Sequence, residues 1–173
     1  MVSRRQIAAI IVIAIIVSTG GLYIFLNQPP NLSLAEKMIL QPGDINISGF
    51  RSSSKSQSPL HYANESSNCR SILSNETIDL IIWIDVFNST NDSRAKFFDV
   101  IQPLLGEREN ITLGDDAIYW PQGPKVPSVI FVKLAVMAWV QILSPEVNYA
   151  WLHNATISLA TLQLEKIDHY LAE

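Results

Sequence analysis

Eight asparagines in this chain stand two residues ahead of a serine or threonine, with no proline between: Asn31, Asn46, Asn64, Asn75, Asn88, Asn91, Asn110 and Asn154. The amide of an asparagine so placed is an acceptor for N-linked sugar, and that chemistry runs on the non-cytoplasmic side of a membrane. The chain holds 11 asparagines, so this pattern takes most of them. Asn88 and Asn91 are too close for both to carry a bulky glycan easily. Glycans on half of the sites would cover much of a small domain. That favours a shielded structural or accessory role over an enzyme with a large substrate.

Metal, acid–base and nucleophilic chemistry have weaker footing. Asp115 and Asp116 follow Gly114 as a lone carboxylate pair. A calcium loop instead alternates its oxygens, as in D-x-[DN]-x-[DN]-G. A turn leading into a strand is the better reading. Glu165 and His169 are four apart on a helical stretch, so they share a face and could ligate one metal. No third ligand is evident, and a solvated helix face is the better reading. His61 falls in a loop and His153 at a helix start. No serine has a nucleophile-elbow setting. The single cysteine, Cys69, reads as a small apolar filler on a strand. We therefore expect no catalytic residue, no cofactor and no metal, with Asp115, Asp116, Glu165 and His169 as weak metal candidates. The best binding candidates are Trp83, Tyr119 and Trp120, beside a stiff proline-rich loop at 120–127. Large aromatics on pre-ordered segments lose little entropy on docking. The alternative is that they fill the gap between sheet and helices.

These groups depend on what holds them outside the cell. Residues 7–26 read IAAIIVIAIIVSTGGLYIFL, a run of 20 without a charge. As a helix it spans about 30 Å, the thickness of a bilayer core. Arg4 and Arg5 precede it, and no Lys or Arg follows until Lys37. The positive-inside rule then puts residues 1–6 in the cytoplasm and the rest outside. Every sequon lies after this segment, an independent argument for the same orientation. A cleaved signal peptide is the competing reading, but its apolar core is shorter and ends at a small-residue site. We expect an uncleaved single-pass signal-anchor helix at 7–26, a spacer at 27–31 and one extracytoplasmic domain at 32–173.

That domain carries all 16 acidic residues and 10 of the 12 basic ones, so its net charge is about −6. It offers no electrostatic footprint for nucleic acid or anionic lipid. With one cysteine it must fold on its core alone. Rich sequons without disulfides are more like archaeal surface proteins than animal secreted domains.

Residues 32–40 have helical character, with Ser33 and Glu36 spaced as a capping box. Gln41-Pro42-Gly43-Asp44 ends it, and a short strand is expected at 45–51. Residues 52–67 read as an exposed polar loop, followed by a strand at 69–73. Residues 77–87 are the clearest strand. One of its faces, Ile78, Leu80, Ile82, Ile84 and Val86, is purely apolar. The other, with Asp79 and Asp85, is mixed and predicts partial cover only. A helix follows with a stripe of Arg94, Phe98, Ile101 and Leu105. Short strands are expected at 111–113 and 117–120. Residues 128–143 approach a second membrane span in length, but Lys133 near the middle is costly in lipid, so two strands turning at 133–135 are preferred. A final helix covers 153–171, with Ile157, Ala160, Leu164, Ile167 and Leu171 on one stripe. The fold class is α+β: an antiparallel sheet with two main helices packed on one face, preceded by the transmembrane helix.

Several stretches together resemble a known layout: 39–44, the strand into helix from 82 to 98, 113–117, the apolar hairpin, and 160–167. The layout is similar to membrane-anchored extracytoplasmic α+β domains such as PsbP-like and LpqN-like lipoproteins and the PknH-type sensor domain. The likeness covers residue 32 to the end. This chain lacks a lipobox cysteine and the sensor's paired cysteines. The resemblance implies a sensor or accessory protein and carries over no site residue. The expected function is a membrane-anchored, N-glycosylated binding or accessory module with a protein partner in a cell-envelope or membrane complex. The alternatives are a solute or ion sensor and, more weakly, a metal-dependent hydrolase.

Overall fold

The computed structural model describes residues 32–45, 49–56, 65–75, 78–122, 126–144 and 149–172. The expected membrane helix at 7–26 lies outside them, as do Asn31, Asn46 and Asn64. Among the described residues no helix is long and apolar enough to cross a membrane. The chain divides into two units, Met1–Asn31 and Leu32–Glu173.

The second unit is α+β, built on a seven-stranded antiparallel sheet with three helices. The first helix, α1 (Leu34–Met38), begins at the expected capping box. Ser33 Oγ accepts from the Glu36 N–H, and the Ser33 N–H donates to Glu36 Oε2 at 2.8 Å. A 3-10 turn at Pro42–Asp44 leads towards β1 (Arg51–Ser56), β2 (Glu65–Ser74) and β3 (Asp79–Phe87), which form one meander. Helix α2 (Thr90–Ile101) follows, with Ser89 Oγ capping the Asp92 N–H. Then come β4 (Glu109–Asn110), β5 (Asp116–Pro121), β6 (Pro127–Lys133) and β7 (Val136–Leu143), a second meander. Helix α3 (Tyr149–Leu171) closes the chain. The strand order is β1-β2-β3-β7-β6-β5-β4, so the two meanders meet only where β3 pairs with β7. Residues 128–143 are the expected hairpin, and it turns at Leu134–Ala135.

The strand 51–56 corrects the sequence reading, which placed its strand at 45–51 and made 52–67 a loop. All six residues of β1 are exposed, so no alternation marks it; its backbone bonds to β2 make it a strand. A second correction concerns the layers. The two main helices lie on opposite faces of the sheet, not on one. Leu152, Leu159, Ala160 and Ile167 of α3, with Met38 of α1, join the core under Leu80, Ile82 and Ile84. Phe97 of α2 packs on the other face with Phe87, Ile118, Ile130, Val132 and Met137. Strand alternation puts these two sets on opposite sides. The second face of β3 is thus largely covered: Ile81 and Phe87 are buried, and so is Asp85. The α2 stripe also shifts by one residue. Phe97 is buried while Phe98 is 54% exposed and Leu105 87% exposed.

One polar residue ties α1 to α3. Gln163 is fully buried on α3; its Nε2 donates to Met38 O at 2.8 Å and its Oε1 accepts from the Leu40 N–H at 3.0 Å. The last carbonyl of a five-residue helix and the first free amide beyond it are satisfied by one amide group. Beside it Lys166 pairs with Asp44, which also accepts from the Gln41 N–H. Burial alone would raise the Asp44 carboxyl, but these two donors hold it below its ordinary range. Replacing Gln163 with Leu keeps the bulk but strands two buried backbone groups. We expect urea unfolding of Gln163→Leu to show a loss of about 2–6 kcal/mol, since each of the two groups costs about 1–3. An unchanged midpoint would remove Gln163 from this role.

Candidate functional site

The antiparallel register brings three large side chains into one row on the α2 face of the sheet, and a fourth packs at its end. Arg70 on β2 pairs with Trp83 on β3, and Trp83 pairs with Trp139 on β7. Trp120 on β5 lies one register position over, opposite Ser128 and so in line with Gln141, and its ring meets Trp139 diagonally at the end of the row. The Arg70 guanidinium lies 5.0 Å over the Trp83 ring. The Trp83 and Trp139 centroids are 5.4 Å apart and those of Trp139 and Trp120 are 6.2 Å apart, both tilted. Such tilted rings present faces and edges together, each pair adding about 0.5–1.5 kcal/mol beyond its buried area. All three tryptophans and Arg70 are partly exposed. Trp120 donates its indole N–H to Leu105 O at 3.0 Å, which pins the segment after α2. Trp139 Nε1 and Arg70 Nε are buried donors without a partner among the described residues.

Polar groups flank the row on the same face. On one side Gln141 Nε2 and Gln122 Nε2 both reach the buried Ser128 Oγ at 3.2 Å. On the other side Asp85 lies opposite Asn68 on β2 and Met137 on β7. Asp85 is only 8% exposed. Burial, helped by the charge of Glu65 and opposed by Lys96 on α2, pushes its carboxyl up to about 7. A buried carboxyl near neutrality is a hydrogen-bond donor for part of the physiological range.

The structure separates the aromatic candidates. Trp83 and Trp120 share the row, but Tyr119 does not. As Trp120's neighbour on a strand it points the other way. Its side chain is buried on the α3 side, with its ring 4.3 Å from that of His153. Sequence reasoning missed Trp139, Arg70 and Asp85. The first two become visible only through the pairing of β3 with β2 and β7. Asp85 reads as a solvent-facing residue in the sequence, whereas the fold buries it.

The weak metal candidates have other partners. Asp115 Oδ2 accepts the Leu134 N–H at 2.7 Å, and Lys133 Nζ lies 3.7 Å from Asp115 Oδ1. Leu134 has a φ of 50°, costly for a non-glycine residue. Asp115 clamps its N–H while Ser93 Oγ clamps its carbonyl at 2.5 Å. Gly114 brings Asp115 into place: its φ is 63°, and a Cβ there would lie 2.4 Å from Val132 O. Asp116 pairs with Arg94 at 3.3 Å. Glu165 and His169 are exposed on α3. Among the described residues no three His, Cys, Asp or Glu side chains gather as a metal site. An open cleft of about 460 Å³ lies between α2 and residues 110–118, lined by Phe97, Phe98, Ile101, Leu113 and both aspartates. Cys69 is buried on the α3 side of the sheet, where burial pushes its thiol up to about 11, far from reactive thiolate chemistry.

Compared with protein families, curated proteins and solved structures, the chain finds no match.

The Asp85 site has a pH signature. Its folded value lies above the ordinary 3.8, so the folded state holds the proton more tightly than the unfolded chain. The stability this gives is full below about 3.8 and is lost as pH rises through about 7. Asp85→Asn cannot ionise. We expect it to match the native chain near pH 4 and to exceed it at pH 8 by on the order of 4 kcal/mol in urea unfolding. A difference that does not change with pH would show that Asp85 is not the titrating group.

Proposed function

We propose that this chain is a membrane-anchored, N-glycosylated extracytoplasmic binding or accessory protein, and that the Arg70–Trp83–Trp139–Trp120 row is its docking surface. The row is the observation that carries the reading. Tryptophan and arginine dominate the energetics of protein interfaces. Here backbone pairing holds Arg70, Trp83 and Trp139 in line and ring contact sets Trp120 against Trp139, so little entropy is lost when a partner settles on them. The uncharged run at 7–26, Arg4 and Arg5 before it, and eight sequons after it support the placement outside a single-pass anchor. The layout's likeness to extracytoplasmic sensor and accessory domains agrees with this reading.

A second reading, an extracytoplasmic sensor of small solutes, is favoured by the cleft between α2 and residues 110–118. It would pair apolar walls with the Asp115 and Asp116 carboxylates. Among the described residues no three His, Cys, Asp or Glu side chains gather to support the metal-dependent hydrolase alternative.

The test compares companions cross-linked to the full-length protein in its own membranes. Trp83→Ala should lower their recovery about tenfold, the effect of losing about 1.4 kcal/mol of interface energy. Trp151→Ala removes an exposed tryptophan on α3 outside the row, and should leave recovery unchanged. Equal recovery from both variants would eliminate the row as the docking surface. Protease added to intact cells should digest the portion after residue 31; a protected portion would overturn the placement.

A further inference from the structure

A sequon is read as two side chains at once: the asparagine amide and the hydroxyl two residues on. Both must enter one enzyme site together. On an extended backbone residues i and i+2 point the same way. On a helix they do not face each other. Four sequons have all three residues described, and they divide along this line.

Asn91 and Ser93 both lie in α2, and Asn154 and Thr156 both lie in α3. In each pair the asparagine is exposed and the hydroxyl residue is fully buried. Ser93 Oγ donates at 2.9 Å to Thr90 O and lies 2.5 Å from Leu134 O. Thr156 Oγ1 donates to Leu152 O at 2.7 Å. Neither hydroxyl can reach an external site unless its helix opens. Asn110 differs. It ends β4, and the next amide, Ile111 N–H, still bonds across to Ala117 O at 3.2 Å. Ile111 packs on the core, while Asn110 and Thr112 are exposed. Asn88 is exposed on the bend before α2, Ser89 is extended, and Thr90 is partly exposed.

We infer that, of these four sequons, only Asn88 and Asn110 are sugar acceptors on the folded domain, and that folding closes Asn91 and Asn154. The co-substrate is a polyprenyl-phosphate-linked oligosaccharide. The asparagine Nδ2 bonds to the anomeric carbon, the bond from that carbon to the lipid phosphate oxygen breaks, one amide proton goes to solvent, and the lipid phosphate leaves. The arrangement also resolves the crowding of Asn88 against Asn91, since only the first is open. Physiological use of these sites rests on the extracytoplasmic placement proposed above; the acceptor geometry does not.

The test takes the full chain from a host without N-glycosylation, folded in detergent, and the same chain digested to peptides. Each is incubated with an oligosaccharyltransferase that accepts N-x-S/T and with its lipid-linked oligosaccharide, and occupancy is followed by mass spectrometry. The peptides should be modified at all four positions. The folded chain should be modified at Asn88 and Asn110, with Asn91 and Asn154 at least about tenfold slower than in peptides, because they wait on helix opening. Equal rates for folded chain and peptides at Asn91 or Asn154 would overturn the inference, as would bare Asn88 and Asn110 on the folded chain. Bare asparagine throughout the protein from its own membranes, beside the expected pattern in vitro, would sink the placement and still support the geometry.

Discussion

The pairing of β3 with β7 is the contact on which the rest of this domain depends. It joins residues 79–86 to 136–143 in one unbroken antiparallel register. Each strand is the last of its meander, and each is followed directly in chain order by a helix. Without this ladder there are two small sheets, each with an unpaired apolar edge strand. With it there is one sheet whose centre is buried from both sides. Ile82, Ile84, Ala138 and Val140 form the centre of one face, and Trp83, Asp85, Met137 and Trp139 the centre of the other. Loop-closure entropy for so distant a pairing is repaid only when both helices cover the sheet. The pairing and the two helical layers should therefore form together.

Burial on both faces puts polar groups where water cannot serve them, and the domain answers in two ways. Some are fully satisfied. Gln163 ends α1 by bonding on both sides of its last turn, and Ser93 ties α2 to the β6–β7 turn. Asp115 holds the same turn from the other side, offsetting the strain of Leu134. Others are left in tension. Asp85 sits where ionisation is disfavoured, and the Trp139 and Arg70 N–H groups have no partner among the described residues. All three lie on the α2 face, in or beside the aromatic row.

This contrast explains what could be read from the sequence. Local signals were legible. Ser33 and Glu36 announce a capped helix, Lys133 marks the interruption between two strands, and the apolar set of β3 faces a core. What failed depended on tertiary burial. Asp79 and Asp85 made the second face of β3 look half wet, which led to both helices being placed on one side; yet Asp85 is buried. β1 is serine-rich and exposed on both faces, so only its pairing with β2 reveals it. With Phe97 and Phe98 adjacent, periodicity could not fix the phase of α2, and the sheet selects Phe97. The grouping of Tyr119 with Trp120 could have been refused from sequence alone, since neighbours on a strand point apart. The row itself could not have been found, because its spacing exists only in the register between strands.

A shield of sugars and a docking surface compete for the same small domain, and the topology lets them coexist. Asn110 pairs with Ile118, and Ile118 lies in the sheet row that runs through Ile130 and Trp139 to Trp83. At about 4.8 Å between strands, Asn110 stands about 19 Å from Trp83 across the sheet. Helix α2 packs on β6, β7 and β3 between them. Asn88 lies five residues beyond Trp83 along the chain, or about 17 Å at strand rise. Glycans at these two positions would border the aromatic row and leave Trp83 and Arg70 clear. A glycan at Asn91 would stand on the first turn of α2, the helix that packs on that face. The buried Ser93 hydroxyl that locks the β6–β7 turn therefore also keeps sugar off the helix beside the row.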